Sequence, residues 1–337
     1  MDKPFLYRST ISPVPDGEYR PLWSVMIPTY NCTNYLRETL ASVLGQDLGP
    51  EIMQIEVIDD RSTDDDPAAV VAELGQGRIG FYQQPENVGV TKNFETCLKR
   101  SRGQLIHLLH GDDYVREGFY RKMEQAFETR PDIGAAFCRQ IFMNQEGHQQ
   151  ALSDLEQTES GILTNWLERL ATEQRIMTPS IVVRREAYEK LGGFDCRLIC
   201  SEDWEMWVRI AANYPIWYEV EPLAVYRMHS NSNTGRHIRT GEDMRYTREA
   251  IAIFKSYLPD AIAERVSTQA RETYAFSALD MAYSLLTKPD WLAALVQIRE
   301  ALQFSSSFKV IRQIARLLKQ AIAYWTKRIV KREVVLL

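Results

Sequence analysis

Short apolar runs alternate with amphipathic stretches from residue 23 to residue 138 of the chain. Short apolar runs are typical of buried strands, whereas apolar positions three or four apart form one face of a helix. The runs predict strands at 23–27, 55–58, 79–82, 105–109 and 133–138. The amphipathic stretches predict helices at 66–74, 90–101 and 116–129, after a first helix capped by Thr33 or Asn34. This alternation of strand and helix predicts an α/β fold with a parallel, doubly wound sheet covered by helices.

The pattern changes after residue 140. Helical pieces at 161–172 and 203–213 are mixed with strand-like runs at 180–183 and 223–226. From about residue 240 the apolar spacing is helical almost to the end, with breaks at Pro259 and Pro289. We therefore expect three regions: an N-terminal arm at 1–20, an α/β domain at 21–235 and a helical C-terminal region at 236–337.

The net charge of −5 is unevenly distributed over the 337 residues. Residues 308–337 contain eight Lys or Arg and one Glu, a net charge of +7, so the rest of the chain carries −12. The acidic body argues against broad nucleic-acid binding, so no nucleic-acid partner is expected. The tail at 308–332 predicts a basic amphipathic helix. Its apolar stripe consists of Ile311, Ile314, Ala315, Leu318, Ile322 and Trp325. Such a helix lies on an anionic membrane surface, or packs on preceding helices or on a second copy of the chain as a homo-oligomer.

Composition and cysteine usage indicate an ordinary globular protein. Of the residues, 45% are hydrophobic and 25% are charged. The five cysteines are scattered and form no CxxC pair, which is typical of a reducing compartment. The N-terminus lacks the apolar run of a signal peptide, and no stretch of about 18 apolar residues occurs. We therefore expect a cytoplasmic protein, peripheral at the inner membrane face if the basic tail binds lipid.

Polar or acidic groups follow three of the predicted strands, and the carboxyl ends of parallel strands meet at one edge of a sheet. His110-Gly-Asp-Asp113 follows the strand at 105–109. Its adjacent carboxylates repel each other unless a cation binds, and Mg²⁺ or Mn²⁺ takes carboxylate oxygens together with substrate phosphates. The alternative is a solvated turn whose acids cap the next helix.

The acidic pair Asp59-Asp60 ends the second predicted strand. One of these carboxylates could accept a hydrogen bond from a nucleobase. The alternative is a capped turn, for which the run Asp64–Asp66 supplies the stronger candidates.

Glu202 and Asp203 open a predicted amphipathic helix, with Ser201 as the candidate cap. Acids in this position stabilise the first helical turn, and one that faces the crevice could also act as a general base. His229 follows a strand-like run together with Arg227. A lone histidine is usually structural, but beside phosphate and metal it becomes a candidate ligand.

Six segments, taken in order, resemble motifs of the family-2 glycosyltransferases, the large inverting group with the GT-A fold. They are SVMIPTYN at 24–31, DDRSTD at 59–64, NVG at 87–89 with Asn93, HGDD at 110–113, LGGFD at 191–195 with SED at 201–203 and Trp207, and YRMH at 226–229. The resemblance covers residues 22–232. It implies a GT-A-like doubly wound mixed sheet with a Rossmann-like nucleotide-binding half. The HGDD segment departs from the family's DXD pattern, which leaves open which carboxylate would hold the metal.

The resemblance implies an inverting displacement that moves a sugar from a nucleotide-sugar donor, UDP-sugar favoured, onto an acceptor hydroxyl. The acceptor would be a glycan or a lipid-linked molecule of bacterial polysaccharide, glycolipid or cell-surface synthesis. In this reaction Asp203 would be the base, with Glu202 beside it. The divalent cofactor, Mn²⁺ or Mg²⁺, would be ligated by Asp113, with Asp112 facing the ribose or a metal-bound water, and with His229 and Arg227 steadying metal or phosphate. The donor-side residues would be Pro28, Tyr30, Asp59, Asp60, Asn87, Gly89 and Asn93.

Two rival functions use a similar sheet. A nucleotidyltransferase also has acidic metal ligands, but no Gly-rich loop with Lys or Arg follows the first predicted strand. A non-catalytic scaffold that binds sugar nucleotides would keep the fold without the chemistry, and the presence of both Asp113 and Asp203 argues against it.

Overall fold

The computed structural model describes residues 6–228, 233–288 and 290–335. The chain divides into two compact units. The first comprises Met1–Leu167 and Gln174–His229, and the second comprises Glu168–Glu173 and Ser230–Leu337.

Ten strands form one sheet in the first unit. They are β1 (Trp23–Thr29), β2 (Met53–Asp59), β3 (Gly80–Gln83), β4 (Leu105–Leu108), β5 (Tyr114–Val115), β6 (Ala135–Asn144), β7 (Gln149–Leu152), β8 (Gly161–Ile162), β9 (Ile181–Arg184) and β10 (Ile216–Met228). The helices are α1 (Thr33–Leu44), α2 (Pro67–Gly75), α3 (Val90–Arg100), α4 (Phe119–Thr129), α5 (Trp166–Thr172), α6 (Arg185–Leu191), α7 (Glu202–Ala211), α8 (Asn233–Thr240), α9 (Glu242–Phe254), α10 (Asp260–Thr287), α11 (Trp291–Phe304) and α12 (Phe308–Val335).

The main path of the sheet has the order β3-β2-β1-β4-β9-β6-β10-β5. β1 pairs in parallel with both β2 and β4, and β2 pairs in parallel with β3. β9 runs antiparallel between β4 and β6, and β5 runs antiparallel beside β10. All seven residues of β1 are buried, as in a strand covered on both faces. The prediction of a doubly wound mixed α/β sheet is therefore confirmed.

The structure corrects several local predictions. The helix expected at 161–172 begins only at Trp166, because Gly161 and Ile162 pair with β10. Strands β5, β7 and β8 depart from the expectation. β5 and β8 contain two residues each and pair with the distant strand β10, and β7 is an exposed strand that forms a hairpin with β6. The residue before α7, Ser201, makes no capping hydrogen bond with its side chain.

The cap of the first helix also differs from the expectation. Cys32 occupies the capping position of α1, and neither Thr33 nor Asn34 caps it. Instead the amide of Thr33 donates to Oδ2 of Asp65 at 2.8 Å, so the loop after β2 satisfies this helix end. Asp66 caps α2 by accepting from the amide of Ala69, as the acidic run predicts.

The described part of the N-terminal arm packs on the rest of the first unit. The amide of Gly193 donates to the carbonyl of Ser9, and that of Cys196 donates to the carbonyl of Tyr7, both at 2.8 Å. Ile11 is 1% exposed. The arm therefore lies against the segment that leads into α7.

The second unit is helical. The long helix α10 packs against both α11 and α12. The indole of Trp325 on α12 donates to the carbonyl of Leu286 on α10 at 2.9 Å. No helix among the described residues has the length and apolar content needed to cross a membrane.

Candidate active site

The carboxyl ends of β1, β2 and β4 meet at one edge of the sheet. The amide of Gly111, after β4, donates to the carbonyl of Pro28 at 3.0 Å. The amide of Asp60, after β2, donates to the carbonyl of Thr29 at 2.9 Å. These bonds cross the strand ends and bring the two acidic segments toward the same crevice, as expected for an open α/β sheet.

Hydrogen bonds and close packing fix the turn at residues 110–113. The buried hydroxyl of Thr39 on α1 lies 2.6 Å from the carbonyl of Asp113 and 3.1 Å from that of Gly111. A Cβ at Gly111 would lie 2.7 Å from Oγ1 of Thr29 and 3.0 Å from Sγ of Cys32. Only glycine fits this approach without displacing β1, so this packing explains the glycine between the histidine and the two acids.

His110, Asp112 and Asp113 converge on one point. Each offers a ligand atom, and these atoms all lie within 4.8 Å of one another. Oδ2 of Asp113 and Nε2 of His110 are buried and have no hydrogen-bond partner among the described residues. Nδ1 of His110 lies 3.5 Å from Oδ2 of Asp113. Unpartnered buried carboxylate and imidazole atoms suit a divalent metal, which would satisfy them.

The pKa values at this turn reflect strong burial. Burial, followed by the neighbouring charge of Asp112, raises the pKa of Asp113 to about 6 against the stabilising effect of His110. Burial acts to lower the pKa of His110, but the close carboxylate of Asp113, with the charges of Asp112 and Asp203, outweighs it, and the pKa rises. The imidazole and the carboxylate of Asp113 thus interact electrostatically, and a divalent cation would compete with the imidazole for that carboxylate.

The cluster includes the imidazole of His110. The predicted ligand His229 lies outside the described residues, so its role stays a prediction. The HGDD segment contains His110, but the resemblance assigns it no role. The signal in the sequence is its place two residues after β4 and directly before Gly111. The ring also stacks on Phe94 at a centroid distance of 5.2 Å, which fixes its plane.

Arg227, near the end of β10, forms hydrogen bonds that fix the acidic turn at residues 110–113. Its amide donates to Oδ1 of Asp113 at 2.8 Å, and its Nε donates to the carbonyl of Asp112 at 3.0 Å. Its guanidinium also pairs with Glu38 and lies 4.6 Å from the ring centroid of Tyr35. The side chain is thus occupied by protein contacts, and its predicted role toward phosphate stays a prediction.

Asp60 organises the loop at 87–89, which is predicted to lie on the donor side. Its carboxylate accepts from the amides of Val88 at 2.8 Å and Gly89 at 3.0 Å, and the side chain of Asn87 donates to its carbonyl at 2.9 Å. Gly89 has a φ of +83°, which favours glycine and directs its amide to the carboxylate. Burial raises the pKa of Asp60 although the two amides oppose it. Each carboxylate oxygen keeps a further acceptor direction for a nucleobase.

Asp59 and Asn93 lie beneath that loop. Asp59 is fully buried and accepts from the hydroxyl of Ser62 at 2.6 Å and from the amide side chain of Gln83 at 2.9 Å. Asn93 is 2% exposed and donates to the carbonyl of Ile58 at 3.0 Å. Both therefore hold strand ends together. Pro28 and Tyr30 are the two predicted pocket-lining residues. Pro28 lies in the buried strand β1, whereas Tyr30 is 43% exposed.

Glu202 and Asp203 open α7. Oδ2 of Asp203 accepts from the side chain of Gln174 at 2.8 Å and from the hydroxyl of Thr178 at 3.3 Å. Burial and then the charge of Asp203 raise the pKa of Glu202 to about 8, and burial raises that of Asp203. The charge of His110 lowers the pKa of both acids, so they share one electrostatic environment with the cluster.

Several known proteins are similar to this chain in sequence or in fold. The model of the family "Glycosyl transferase family 2" matches residues 24–192. An uncharacterized protein of Mycobacterium tuberculosis is 28% identical over 291 residues, which cover 83% of this chain and 85% of that protein. An uncharacterized glycosyltransferase of Rickettsia prowazekii is 25% identical over 234 residues, covering 67% of this chain and 70% of that protein.

Two solved structures share the fold. TarS (residues 1–349) from S. aureus, in complex with UDP-GlcNAc, has a TM-score of 0.64 at 16% identity and covers 85% of this chain and 91% of its own. The mannosyltransferase PcManGT from Pyrobaculum calidifontis, in complex with GDP-Man and Mn²⁺, has a TM-score of 0.58 at 17% identity and covers 94% and 86%. The GT-A expectation is thereby confirmed. Together with the family match over half of the sequence, these findings establish that the chain belongs to glycosyl transferase family 2 and is a glycosyltransferase.

Proposed function

We propose that this glycosyltransferase transfers a sugar from a nucleoside-diphosphate sugar to an acceptor hydroxyl with inversion at the anomeric carbon. The observation that carries the proposal is the presence of two acidic groups whose charges act on each other. One is the cluster of His110, Asp112 and Asp113, and the other is the pair at the start of α7. The first suits a divalent cation beside a diphosphate, and the second suits removal of a proton from the acceptor.

Asp203 is the proposed base. Its Oδ2 is oriented by Gln174 and Thr178, while Oδ1 accepts from the amide of Trp204 at 2.7 Å. A carboxylate whose pKa is raised by burial is a stronger base than one in water, which favours proton transfer near neutral pH. Asp203 would accept the acceptor proton as the hydroxyl oxygen bonds to the anomeric carbon and the nucleoside diphosphate leaves from the opposite face. Glu202 beside it would hold a proton and so limit the charge in the pocket.

The proposed metal ligands are Asp113, Asp112 and His110, with His229 as a further candidate from the sequence. The unpartnered atoms of Asp113 and His110 fit a divalent ion. When bound, Mn²⁺ or Mg²⁺ would neutralise charge on the leaving diphosphate. Mn²⁺ is favoured by the imidazole, because Mg²⁺ prefers oxygen ligands alone.

The donor side rests on the loop held by Asp60. Asp60 would accept a hydrogen bond from the base of the nucleotide, with Asp59 as the less favoured substitute, and Pro28 and Tyr30 would line the pocket. Asn87, Gly89 and Asn93 would act by shaping this loop. A UDP-sugar is the favoured donor. TarS was solved with UDP-GlcNAc and PcManGT with GDP-Man, so both nucleotides belong in the test.

The acceptor proposed is a glycan or a lipid-linked molecule in bacterial polysaccharide, glycolipid or cell-surface glycan synthesis. The place of action proposed is the cytoplasm or the inner face of the cell membrane. The helical unit would supply either a peripheral membrane contact or a contact with a second copy of the chain.

A panel of nucleotide sugars tests the proposal. The full chain with Mn²⁺ is screened by thermal shift, because a ligand that binds the folded state raises its melting temperature. The stabilising donor is then incubated with the enzyme, and slow hydrolysis is followed by the nucleotide product and the anomer of the sugar. Release of a nucleoside diphosphate and an inverted sugar is expected. Cleavage to a nucleoside monophosphate and a sugar 1-phosphate would instead indicate nucleotidyl transfer. Retention would refute the displacement, and donor binding without turnover of any acceptor would indicate a scaffold.

A further inference from the structure

Helix α12 has two apolar faces, and only one of them packs within the helical unit. Val310, Leu317 and Ala321 are at most 4% exposed, on a helix whose neighbours are α10 and α11. A second row of apolar side chains lies on an adjacent face. These residues and their exposed fractions are Phe308 (77%), Ile311 (51%), Leu318 (44%) and Ile322 (69%). Their spacing of three, seven and four residues keeps them aligned along the helix.

A strip of cations borders this exposed apolar row. At about 100° per residue, Arg312, Arg316 and Lys319 project beside the row, on the side away from the packed face. All three are exposed, and no acidic group in the described part of the chain pairs with them. Lys309 is paired with Glu272 at 3.3 Å. The sequence from 308 to 326 contains no acidic residue, so this surface is both apolar and cationic.

Helix α11 adds to the apolar surface. Residues 305–307 join the end of α11 to the start of α12. Trp291, at the start of α11, contacts Trp325 of α12, with ring centroids 5.8 Å apart. The two helices therefore run side by side and antiparallel. Leu292 is 79% exposed and Leu295 is 60% exposed. The aligned row on α12 is an exposed apolar patch, and such patches are uncommon on surfaces that face only water.

We propose that the exposed face of α12 binds an anionic lipid bilayer and lies in the plane of the interface. The apolar row would enter the acyl boundary, and the cations beside it would contact the headgroups. Charge complementarity favours this occupant over a second copy of the chain, because a symmetric pairing of two such faces would oppose like charges. Residues 308–337 carry a net charge of +7 and the rest of the chain carries −12, so anionic headgroups attract this segment and repel the remainder. Binding depends on neither the donor nor the metal, so it goes beyond the proposed chemistry.

Flotation of the full chain with vesicles tests the inference. Neutral phosphatidylcholine vesicles are compared with vesicles containing about one-third phosphatidylglycerol, at low and at high salt. The full chain should float with the anionic vesicles at low salt and less so at high salt, because screening weakens the headgroup contacts. Replacing Arg312, Arg316 and Lys319 together by Gln should lower partitioning roughly a hundredfold.

The apolar row is tested by a second triple variant, Ile311→Gln, Leu318→Gln and Ile322→Gln, which should also abolish flotation. The control is Leu152→Gln with Leu155→Gln, an exposed apolar pair in the other unit that should change nothing. Unchanged melting temperature and unchanged donor hydrolysis without lipid show that each variant is folded. Absent flotation of the full chain, equal binding to neutral vesicles, or undiminished flotation of the triple variants would overturn the inference. Conversion of a wild-type dimer into a monomer by the apolar variant, without vesicle binding, would assign the face to self-association instead.

Discussion

The amide of Arg227 donates to Oδ1 of Asp113 at 2.8 Å, which ties the end of β10 to the acidic turn after β4. This bond occupies one carboxylate oxygen and leaves Oδ2 directed toward His110 without a hydrogen-bond partner among the described residues. The same arginine closes the turn through the carbonyl of Asp112. The geometry of the proposed metal cluster thus depends on a residue far away in the sequence.

Replacing Asp113 by Asn should remove metal-dependent activity. The substitution keeps the size of the side chain but removes the charge that a divalent ion needs. We expect turnover to fall at least about a hundredfold and the stabilisation of the protein by Mn²⁺ to disappear. The measurements are donor hydrolysis and melting temperature with and without Mn²⁺, with EDTA-treated wild type as the reference.

The matched control for that variant is Asp154→Asn, at an exposed position of the same unit. It should behave as the wild type in both measurements. Full activity of the wild type in excess EDTA would show that no metal is required.

Replacing Asp203 by Asn should separate binding from catalysis. The amide cannot accept the acceptor proton, yet it can keep hydrogen bonds to Thr178 and to the amide of Trp204. We expect a rate loss of roughly 10²–10⁴ with donor affinity nearly unchanged. Single-turnover rates and donor titration measure the two effects. Near-normal turnover would move the base to Glu202 or elsewhere.

Replacing Arg227 by Gln should weaken the metal cluster without removing any of its proposed ligands. The variant loses the bond to the carbonyl of Asp112 and the pair with Glu38, while the main-chain bond to Asp113 can remain. We expect about 2–3 kcal/mol lower unfolding free energy, because bonds from a buried charged group are lost. The apparent affinity for Mn²⁺ should fall as well.

Urea unfolding and Mn²⁺ titration measure these effects for Arg227→Gln, and the exposed Arg121→Gln serves as the control. If only the affinity for the nucleotide sugar changes, with stability and Mn²⁺ binding intact, the guanidinium binds phosphate as the sequence predicts.

The metal-free protein should lose stability as pH rises. The pKa of Glu202 is raised from its ordinary value of 4.5 to about 8 in the folded state, chiefly by burial. Between these values the folded state binds more protons than the unfolded state, so the unfolding free energy falls with increasing pH. Urea unfolding in EDTA between pH 5 and pH 8 should show this decline. Glu202→Gln should reduce the slope, and an identical slope would contradict the assignment.

Much of the α/β core could be anticipated because its signals are local. Strands β1, β2 and β4 are short apolar runs, and each is followed directly by its polar or acidic group. By contrast, β5 and β8 contain two residues each and exist only through pairing with β10, a contact that apolar spacing does not encode. The capping of α1 by Asp65 escaped prediction for the same reason, since helix and cap come from different loops.

The sequence by itself determined the fold class, the family and the identity of the acids at the strand ends, because apolar runs and adjacent carboxylates are properties of neighbouring residues. Only the tertiary structure decided which groups meet. It placed His110 against Asp113, gave Arg227 its protein partners, and showed that α12 buries one apolar face and exposes another. Burial and partnership are set by segments distant in the chain, and the free energies of desolvation and hydrogen bonding depend on that environment rather than on residue type alone.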